Sequence, residues 1–235
     1  MTAKQIHIAL ARLGDPDIAA HSGRFFKTGK GEYGEGDRYL GIRVPVLRRK
    51  GKEFKNTPLP EIMRVLNSSF QEERLLALFM LVHKFAKGGA NEKKEIYELY
   101  LRHTKYINNW DLVDSSAGHI VGAYLADKDK KPIYRMAESI NLWELRIAIM
   151  STFPMIRAND FTATLAVSRL LLKDDEDLIH KAVGWMLREI GKRDLPVEER
   201  FLKKHYKDMP RTMLRYAIEK LHEKDRKRYL LNLAY

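Results

Sequence analysis

Apolar residues recur at three- and four-residue spacing along almost the whole chain, and alternating β-branched runs are scarce. This period places apolar side chains on one face of an α-helix, so the sequence predicts an all-α protein. Helix-start signals such as Asp15-Pro16 and Asn159-Asp160 support the prediction. The predicted helices cover residues 3–13, 16–26, 45–54, 59–67, 70–86, 92–104, 109–126, 131–139, 142–157, 160–173, 176–192, 196–206 and 210–222.

A weak repeat runs through the longer helices. Each of four helices carries an alanine near its middle, and the successive alanines are separated by 71, 34 and 35 positions; they are Ala77, Ala148, Ala182 and Ala217. A further helix near 109–126 would fill the longest gap. This spacing favours an α-solenoid, in which stacked helix pairs create a concave surface. The alternative is an irregular helical bundle, because alanine is common in the core of any helix.

Composition excludes several classes of protein. The chain has 235 residues and no cysteine, which excludes a disulfide scaffold, a cysteine-ligated metal and a thiol nucleophile. The longest apolar run, 75–82, is too short to cross a membrane, and residues 1–20 lack a signal-peptide pattern. We therefore expect a soluble, cytoplasmic protein that does not associate with membranes.

The positive charge is concentrated at the two ends of the chain. The formal net charge of +12 divides into +6 for residues 1–60, 0 for 61–187 and +6 for 188–235. This distribution suggests a polyanion bound at separated points, because Lys and Arg that neutralise phosphates release counterions. A solvated basic surface that keeps the protein soluble is the alternative.

One segment interrupts the helical pattern. Residues 28–44 carry five of the 14 glycines, and we expect a surface loop that is mobile unless a partner orders it. Residues 29–34 match G-x-G-x-x-G, and residues 23–30 resemble a phosphate-binding loop. No βαβ context surrounds either match, so we predict no nucleotide cofactor. The eight histidines lack metal-ligand spacing and Ser115-Ser116 is no nucleophile elbow, so we predict neither a metal nor any other cofactor.

Aromatic and ionisable residues share faces on three predicted helices in the neutral middle of the chain. Trp110 and Asp114 lie four residues apart, which places a carboxylate beside an indole. Taken singly, each such residue has a structural explanation in the core or in an ion pair. The other members of the set are Trp143 and Arg146 on the second helix, and Lys181, Trp185 and Arg188 on the third.

Together these segments resemble a known family. The residues are NWDLVD at 109–114, LWELRIAI at 142–149 and KAVGWMLRE at 181–189, with YLGIRVP at 39–45. They are similar to the signature segments of the bacterial DNA-alkylation-repair glycosylases of the AlkD type. The likeness extends from about residue 20 to about residue 220.

The resemblance implies both a fold and an activity. It implies one HEAT-like repeat domain over 1–235 with a concave DNA-binding face, and metal-free excision of cationic alkylated purines (N3-alkyladenine and N7-alkylguanine) from double-stranded DNA. Asp114 corresponds to the catalytic carboxylate, Trp110 and Trp185 to the lesion-facing indoles, and Arg146 to the active-site arginine. We expect a monomer that hydrolyses the bond without cleaving the strand. The residues expected to contact the DNA backbone are Arg43, Lys181 and Arg188.

The chain departs from the family pattern at two positions. Better-known members have a tryptophan where this chain has Asn109, and an arginine where it has Leu145. Two other functions stay open: a non-catalytic HEAT-like module that binds DNA, and a protein-binding scaffold. The scaffold gives no reason for Trp110, Asp114, Arg146 and Trp185 to occur together, whereas the DNA-binding module predicts salt-sensitive DNA affinity that survives loss of Asp114.

Overall fold

A computed structural model describes residues 1–231, and most of these residues are helical. The described part of the chain contains no β-strand, only an isolated parallel bridge between Arg38 and Phe70. The prediction of an all-α protein is therefore confirmed. The chain divides into two compact units, one comprising Met1–Ile120 and the other beginning at Val121.

The first unit is built from seven α-helices and a short 3₁₀ turn at Thr104–Tyr106. Thr2 and Gln5 form a capping box at the first helix, and Asp15 caps the second, where Pro16 occupies the first turn. The helices are Ala3–Ala11 (α1), Pro16–Phe25 (α2), Val44–Glu53 (α3), Leu59–Leu66 (α4), Gln71–Lys87 (α5), Ala90–Arg102 (α6) and Trp110–Asp114 (α7).

The second unit contains nine described α-helices and a 3₁₀ turn at Ile218–Lys220. The helices are Ala123–Leu125 (α8), Lys131–Met136 (α9), Leu142–Met150 (α10), Phe153–Arg157 (α11), Thr162–Leu170 (α12), Asp177–Gly191 (α13), Leu195–His205 (α14), Arg211–Ala217 (α15) and Glu223–Leu230 (α16).

The predicted helices match these elements except at three places. The prediction of a continuous helix over 109–126 was wrong, because α7 ends at Asp114 and a π-helical turn follows at Gly118–Gly122. Ser116 contributes to this break because its hydroxyl donates to the Leu112 carbonyl at 2.6 Å. The predicted helix 142–157 is divided because Pro154 lacks the amide that a continuing helix needs.

The third difference is α16, which the apolar pattern did not predict. Its sequence, EKDRKRYL, is dominated by charged residues, and of its side chains only Tyr229 is buried. A helix with so narrow an apolar face gives almost no periodic signal.

One long helix organises the core of each unit. In the first unit α5 packs against α3, α4 and α6, and it buries Leu76 and Leu78 completely. In the second unit α13 packs against α10, α14 and α15, and it buries Val183 and Leu187 completely. Each fully buried Leu or Val contributes about 1.5–3 kcal/mol to folding.

The helix contacts agree with the predicted repeat pattern. Most contacts join helices that are close in sequence, which is typical of an α-solenoid. All four alanines that suggested the repeat are buried: Ala77, Ala148, Ala182 and Ala217. The single domain and the concave DNA-binding face stay predictions.

Replacing Gly184 by alanine should destabilise the second unit. A Cβ at Gly184 would lie within 2.5 Å of the Tyr216 Cβ and closer still to the Met213 carbonyl oxygen, where α13 meets α15. Because backbone cannot easily move aside, we expect a loss of about 1–3 kcal/mol of unfolding free energy, measured by urea denaturation. Gly89→Ala is the matched control, since nothing lies within 4 Å of its added Cβ. Equal losses in the two variants would contradict the prediction.

Candidate active site

Helix α7 carries Trp110 and Asp114 on one face in the first unit. Asn109 begins the helix: its side-chain oxygen accepts from the Trp110 amide at 2.8 Å, and the residue is completely buried. The position where better-known relatives have a tryptophan is therefore occupied here by a helix cap. Trp110 and Asp114 are both partly exposed, one helical turn apart.

Trp110 belongs to an aromatic cluster that the sequence analysis did not identify. Its ring centroid lies 5.3 Å from that of Phe26 and 6.0 Å from that of Phe25. Phe26 in turn stacks on Tyr39 at 5.4 Å with only 8° between the ring planes. Phe25 is 58% exposed, which is unusual for a phenylalanine. Two consecutive aromatic residues at the end of a helix, directly before the glycine-rich segment, were the available signal.

A buried polar turn supports this cluster from α5. Glu72 is almost completely buried, and its carboxylate accepts from the backbone amides of Leu40, Gly41 and Ile42 at 2.9, 2.8 and 3.2 Å. Gly41 adopts a φ of +84°, and a Cβ there would collide with the Asp15 carbonyl oxygen. Contacts within the protein, and not a partner, therefore hold the end of the glycine-rich segment.

Arg74, on the same turn of α5, fixes the middle of that segment. It forms a buried ion pair with Asp37 at 2.6 Å and also donates to the Ser68 carbonyl at 3.1 Å. Burial raises the pKa of Tyr39, and the charges of Asp37 and Asp111 raise it further. Tyr39 is thus a neutral phenol whose ring supports Phe26.

Asp111 joins the polar turn to α7. Its Oδ2 accepts from the Gln71 side chain, whereas its Oδ1 is buried with no hydrogen-bond partner among the described residues. Burial raises the pKa of Asp111 to about 7, and the nearby Asp114 charge also raises it. Near neutral pH, therefore, Asp111 exists in both protonation states.

Tyr100 supports the turn that follows α7. It is completely buried, and its hydroxyl lies 2.9 Å from the Ser116 hydroxyl. Burial raises the pKa of Tyr100, and the Asp114 charge adds to this increase. Asp114 is therefore close enough to both Tyr100 and Asp111 to influence their protonation.

In the second unit, Arg146 is buried. The residue is 4% exposed, and its Nη1 donates to the carbonyl of Leu178 in the first turn of α13 at 2.6 Å. Its neighbours Trp143 and Leu145 are also in the core, each 8% exposed. Leu145, where better-known relatives have an arginine, is thus a packing residue here.

Trp185 is partly exposed on α13 and belongs to a polar chain along that helix. Its Nε1 donates to Glu189 Oε1 at 3.1 Å, and the same oxygen accepts from Lys192 at 2.5 Å. Arg188 pairs with Glu219, and Lys181 pairs with Asp177 at 2.6 Å. Two of the three predicted DNA contacts are therefore already paired with carboxylates.

The remaining predicted contact, Arg43, is exposed in the first unit at the start of α3. Residues 1–231 contain no group of three His, Asp or Glu side chains that could hold a metal ion. Within the same residues, no helix is long and apolar enough to cross a lipid bilayer.

Comparison with known proteins decides the family. Residues 6–221 match the family model described as DNA alkylation repair enzyme. The chain belongs to this family. A solved structure titled as a predicted DNA alkylation repair enzyme from Enterococcus faecalis has a similar fold, with a TM-score of 0.68 and 16% identity. The likeness covers 89% of this chain and 97% of the other. A search of curated proteins found no match.

The family assignment agrees with the resemblance seen in the sequence, at the level of DNA alkylation repair. The roles of Asp114, Trp110, Trp185 and Arg146 stay predictions. So do the DNA contacts by Arg43 and by the two paired residues on α13.

The pH dependence of stability should reveal the unusual carboxyl group of Asp111. Its pKa is about 7 in the folded protein against 3.8 for an ordinary aspartate. Between these values the folded state binds more protons, so the Asp111 contribution to stability falls as pH rises from about 4 to 7. The slope is at most about 1.4 kcal/mol per pH unit, and it vanishes above pH 7.

Asp111→Asn should remove this contribution while preserving the bond from Gln71. We therefore expect the variant to gain stability relative to the parent as pH rises from 5 to 7, measured by urea denaturation at each pH. Asp127→Asn, at a residue whose side chain is 81% exposed, is the control. A difference between parent and Asp111→Asn that stays constant with pH would show that Asp111 is ionised throughout.

Proposed function

We propose that this member of the DNA alkylation repair enzyme family is a monofunctional DNA glycosylase. Its substrates are cationic alkylated purines in duplex DNA, and the reaction is hydrolysis of the N-glycosidic bond. The observation that carries the proposal is the placement of Asp114 one turn from a partly exposed Trp110, within an aromatic cluster. A scaffold protein would have no use for an anionic and aromatic surface of this kind.

The aromatic cluster suits a cationic base. N3-alkyladenine and N7-alkylguanine carry a formal positive charge, which the electron-rich faces of indole rings attract by about 0.5–2 kcal/mol per contact. Trp110 has this capacity in the first unit, and Trp185 has it in the second. Phe25 and Phe26 would add apolar contact beside Trp110.

Asp114 suits the bond-breaking step. As the glycosidic bond breaks, its electron pair returns to the base nitrogen, so the cationic purine leaves as a neutral molecule without an acid catalyst. Positive charge develops on the sugar, and the Asp114 carboxylate would stabilise it. A water molecule then forms the new bond to the sugar carbon and loses its proton to Asp114 or to solvent.

Arg146 fits a positioning role better than a phosphate contact. Arg146 is 4% exposed, and the bond from its guanidinium to the Leu178 carbonyl fixes the start of α13. Because α13 carries Lys181 and Trp185, loss of Arg146 would displace both. We propose that Arg146 acts through that helix.

Asp114→Asn should abolish most base release while leaving DNA binding intact. The carboxylate acts on charge that develops only in the transition state, so we expect a rate loss of about 100-fold or more. The measurement is free 7-methylguanine released from methylated duplex, alongside affinity for undamaged duplex. Asp127→Asn is the control for loss of an exposed carboxylate.

Full activity of Asp114→Asn would contradict the assignment of the carboxylate. If the parent protein bound DNA but released no base, the alternative of a non-catalytic DNA-binding module would replace the proposal. A parent that neither bound DNA nor released base would favour a protein-binding scaffold.

Lesion selectivity should follow charge. A neutral damaged base does not attract the indole faces and leaves only with the help of a general acid, whereas the cationic purine needs none. We expect release of N7-alkylguanine and N3-alkyladenine, including adducts larger than methyl. Oligonucleotides that carry each lesion, followed by base analysis, test this. Efficient release of hypoxanthine or ethenoadenine would contradict the charge-based mechanism.

A further inference from the structure

A cationic groove lies between α3 and α5 of the first unit. It consists of two adjoining cavities, of about 400 and 310 Å³, and His83 lines both. The larger cavity reaches Ser115, the residue that follows Asp114, and also His119. The groove therefore begins beside the helix that carries the proposed catalytic carboxylate.

The lining of the groove is strongly basic. Five cationic side chains line it against one carboxylate, that of Glu92. Among the described residues, none of the five cations lies within ion-pair distance of a carboxylate. This differs from Arg188 and Lys181, which are paired. The five are Arg48, Lys52, Lys55, Lys84 and Lys87.

The net charges of long sequence segments do not reveal this cluster of cations. Residues 61–187 have no net charge, yet Lys84 and Lys87 of that stretch face Lys52 and Lys55 of the basic N-terminal part. The helix pairing of α3 and α5 brings the two pairs together. Unneutralised cations grouped in this way attract multiply charged anions.

The larger cavity has an apolar wall that holds one of the cations. The Arg48 guanidinium lies 4.4 Å from the centre of the Phe79 ring, and this cation–π contact holds it beside the apolar wall. The larger cavity is open to solvent and adjoins the lysine-lined one at His83. Several cations along two adjoining open cavities suit the repeated phosphates of a nucleic-acid backbone better than a single enclosed anion.

His83 is the titratable group at the junction. Burial lowers its pKa, and Lys87, Lys55, Lys52 and Lys84 lower it further, so the imidazole is neutral at pH 7. The other charged or titratable groups that line the groove around it are Arg48 on α3, Glu92 on α6 and His119 beyond α7. A phosphate placed among the lysines would compensate their charge and favour the imidazolium.

We propose that this groove binds the phosphate backbone of duplex DNA and that His83 takes up a proton when the phosphate arrives. The inference rests on the proposed DNA substrate, and it adds a contact surface and a pH dependence to it. The catalytic role of Asp114 is not required. DNA affinity should then rise as pH falls.

The first test removes charge from the groove. Lys52→Gln/Lys87→Gln should weaken binding of a labelled, undamaged duplex. It should also lower the slope of log affinity against log salt by about 0.9 for each phosphate that is no longer neutralised. Lys4→Gln/Lys94→Gln removes the same charge from exposed positions outside the groove, and we expect a smaller effect. Equal effects of the two double variants would overturn the proposal.

The second test measures His83 directly. The imidazole signal of His83, assigned by comparison with His83→Gln, is titrated by NMR in the free protein and with undamaged duplex. We expect the pKa of His83 to rise with DNA, and affinity to tighten towards lower pH by up to about tenfold for each unit of that rise. His83→Gln should lose this part of the pH dependence, whereas His222→Gln should keep it.

The outcomes separate the groove from the glycosylase proposal. A pKa of His83 that is unchanged by DNA would overturn the proton uptake, and inorganic phosphate that reproduces the full change would assign the site to a free anion instead. If the protein released no base but the groove variants lost affinity as expected, the groove would stand and the glycosylase proposal would fall. If the parent released base and both groove variants kept full base release and full DNA affinity, the groove proposal would fall and the glycosylase proposal would stand.

Discussion

The first unit depends on the buried polar turn that opens α5. Charged side chains are rarely buried unless they are paired, and here Glu72 and Arg74 are each satisfied by the segment that crosses them. Glu72 binds three successive backbone amides, and Arg74 pairs with Asp37. Loss of either partner would leave a buried charge uncompensated, which costs about 3–5 kcal/mol. The same turn therefore fixes one backbone conformation for the glycine-rich segment, although its glycines would permit many conformations.

The buried polar turn of α5 also holds the residues of the proposed site in place. Tyr39 lies within the segment that Glu72 and Arg74 fix, and its ring supports Phe26, which contacts Trp110. Gln71, at the start of the same turn, reaches Asp111 on α7. Both the aromatic cluster and the helix that carries the catalytic candidate are thus positioned by one set of buried hydrogen bonds. Fixed neighbours help the partly exposed indole of Trp110 to hold a constant orientation.

Sequence reasoning predicted the helices well and their interruptions poorly. The period of apolar residues locates α5 and α13 because each has a wide buried face, but it could not show the π-helical turn at Gly118–Gly122, which depends on local hydrogen bonds. The resemblance supplied the candidate residues and the family. Neither the resemblance nor the apolar period could show that Glu72 is buried, since charged residues are expected at the surface. The sequence around Arg146 likewise does not indicate that its side chain binds the Leu178 carbonyl.

The first unit must meet opposite electrostatic demands if it acts on DNA. The phosphates require cations, whereas the cationic lesion and the developing positive charge on the sugar require an anion. The unit separates them: unpaired lysines line the groove of α3 and α5, and carboxylates lie on α7. Two ionised carboxylates there would repel the backbone, but burial keeps Asp111 partly protonated near neutral pH. Asp114 can then be the principal negative charge at the lesion. In the groove, the neutral His83 can gain a proton, and so a positive charge, where a phosphate binds.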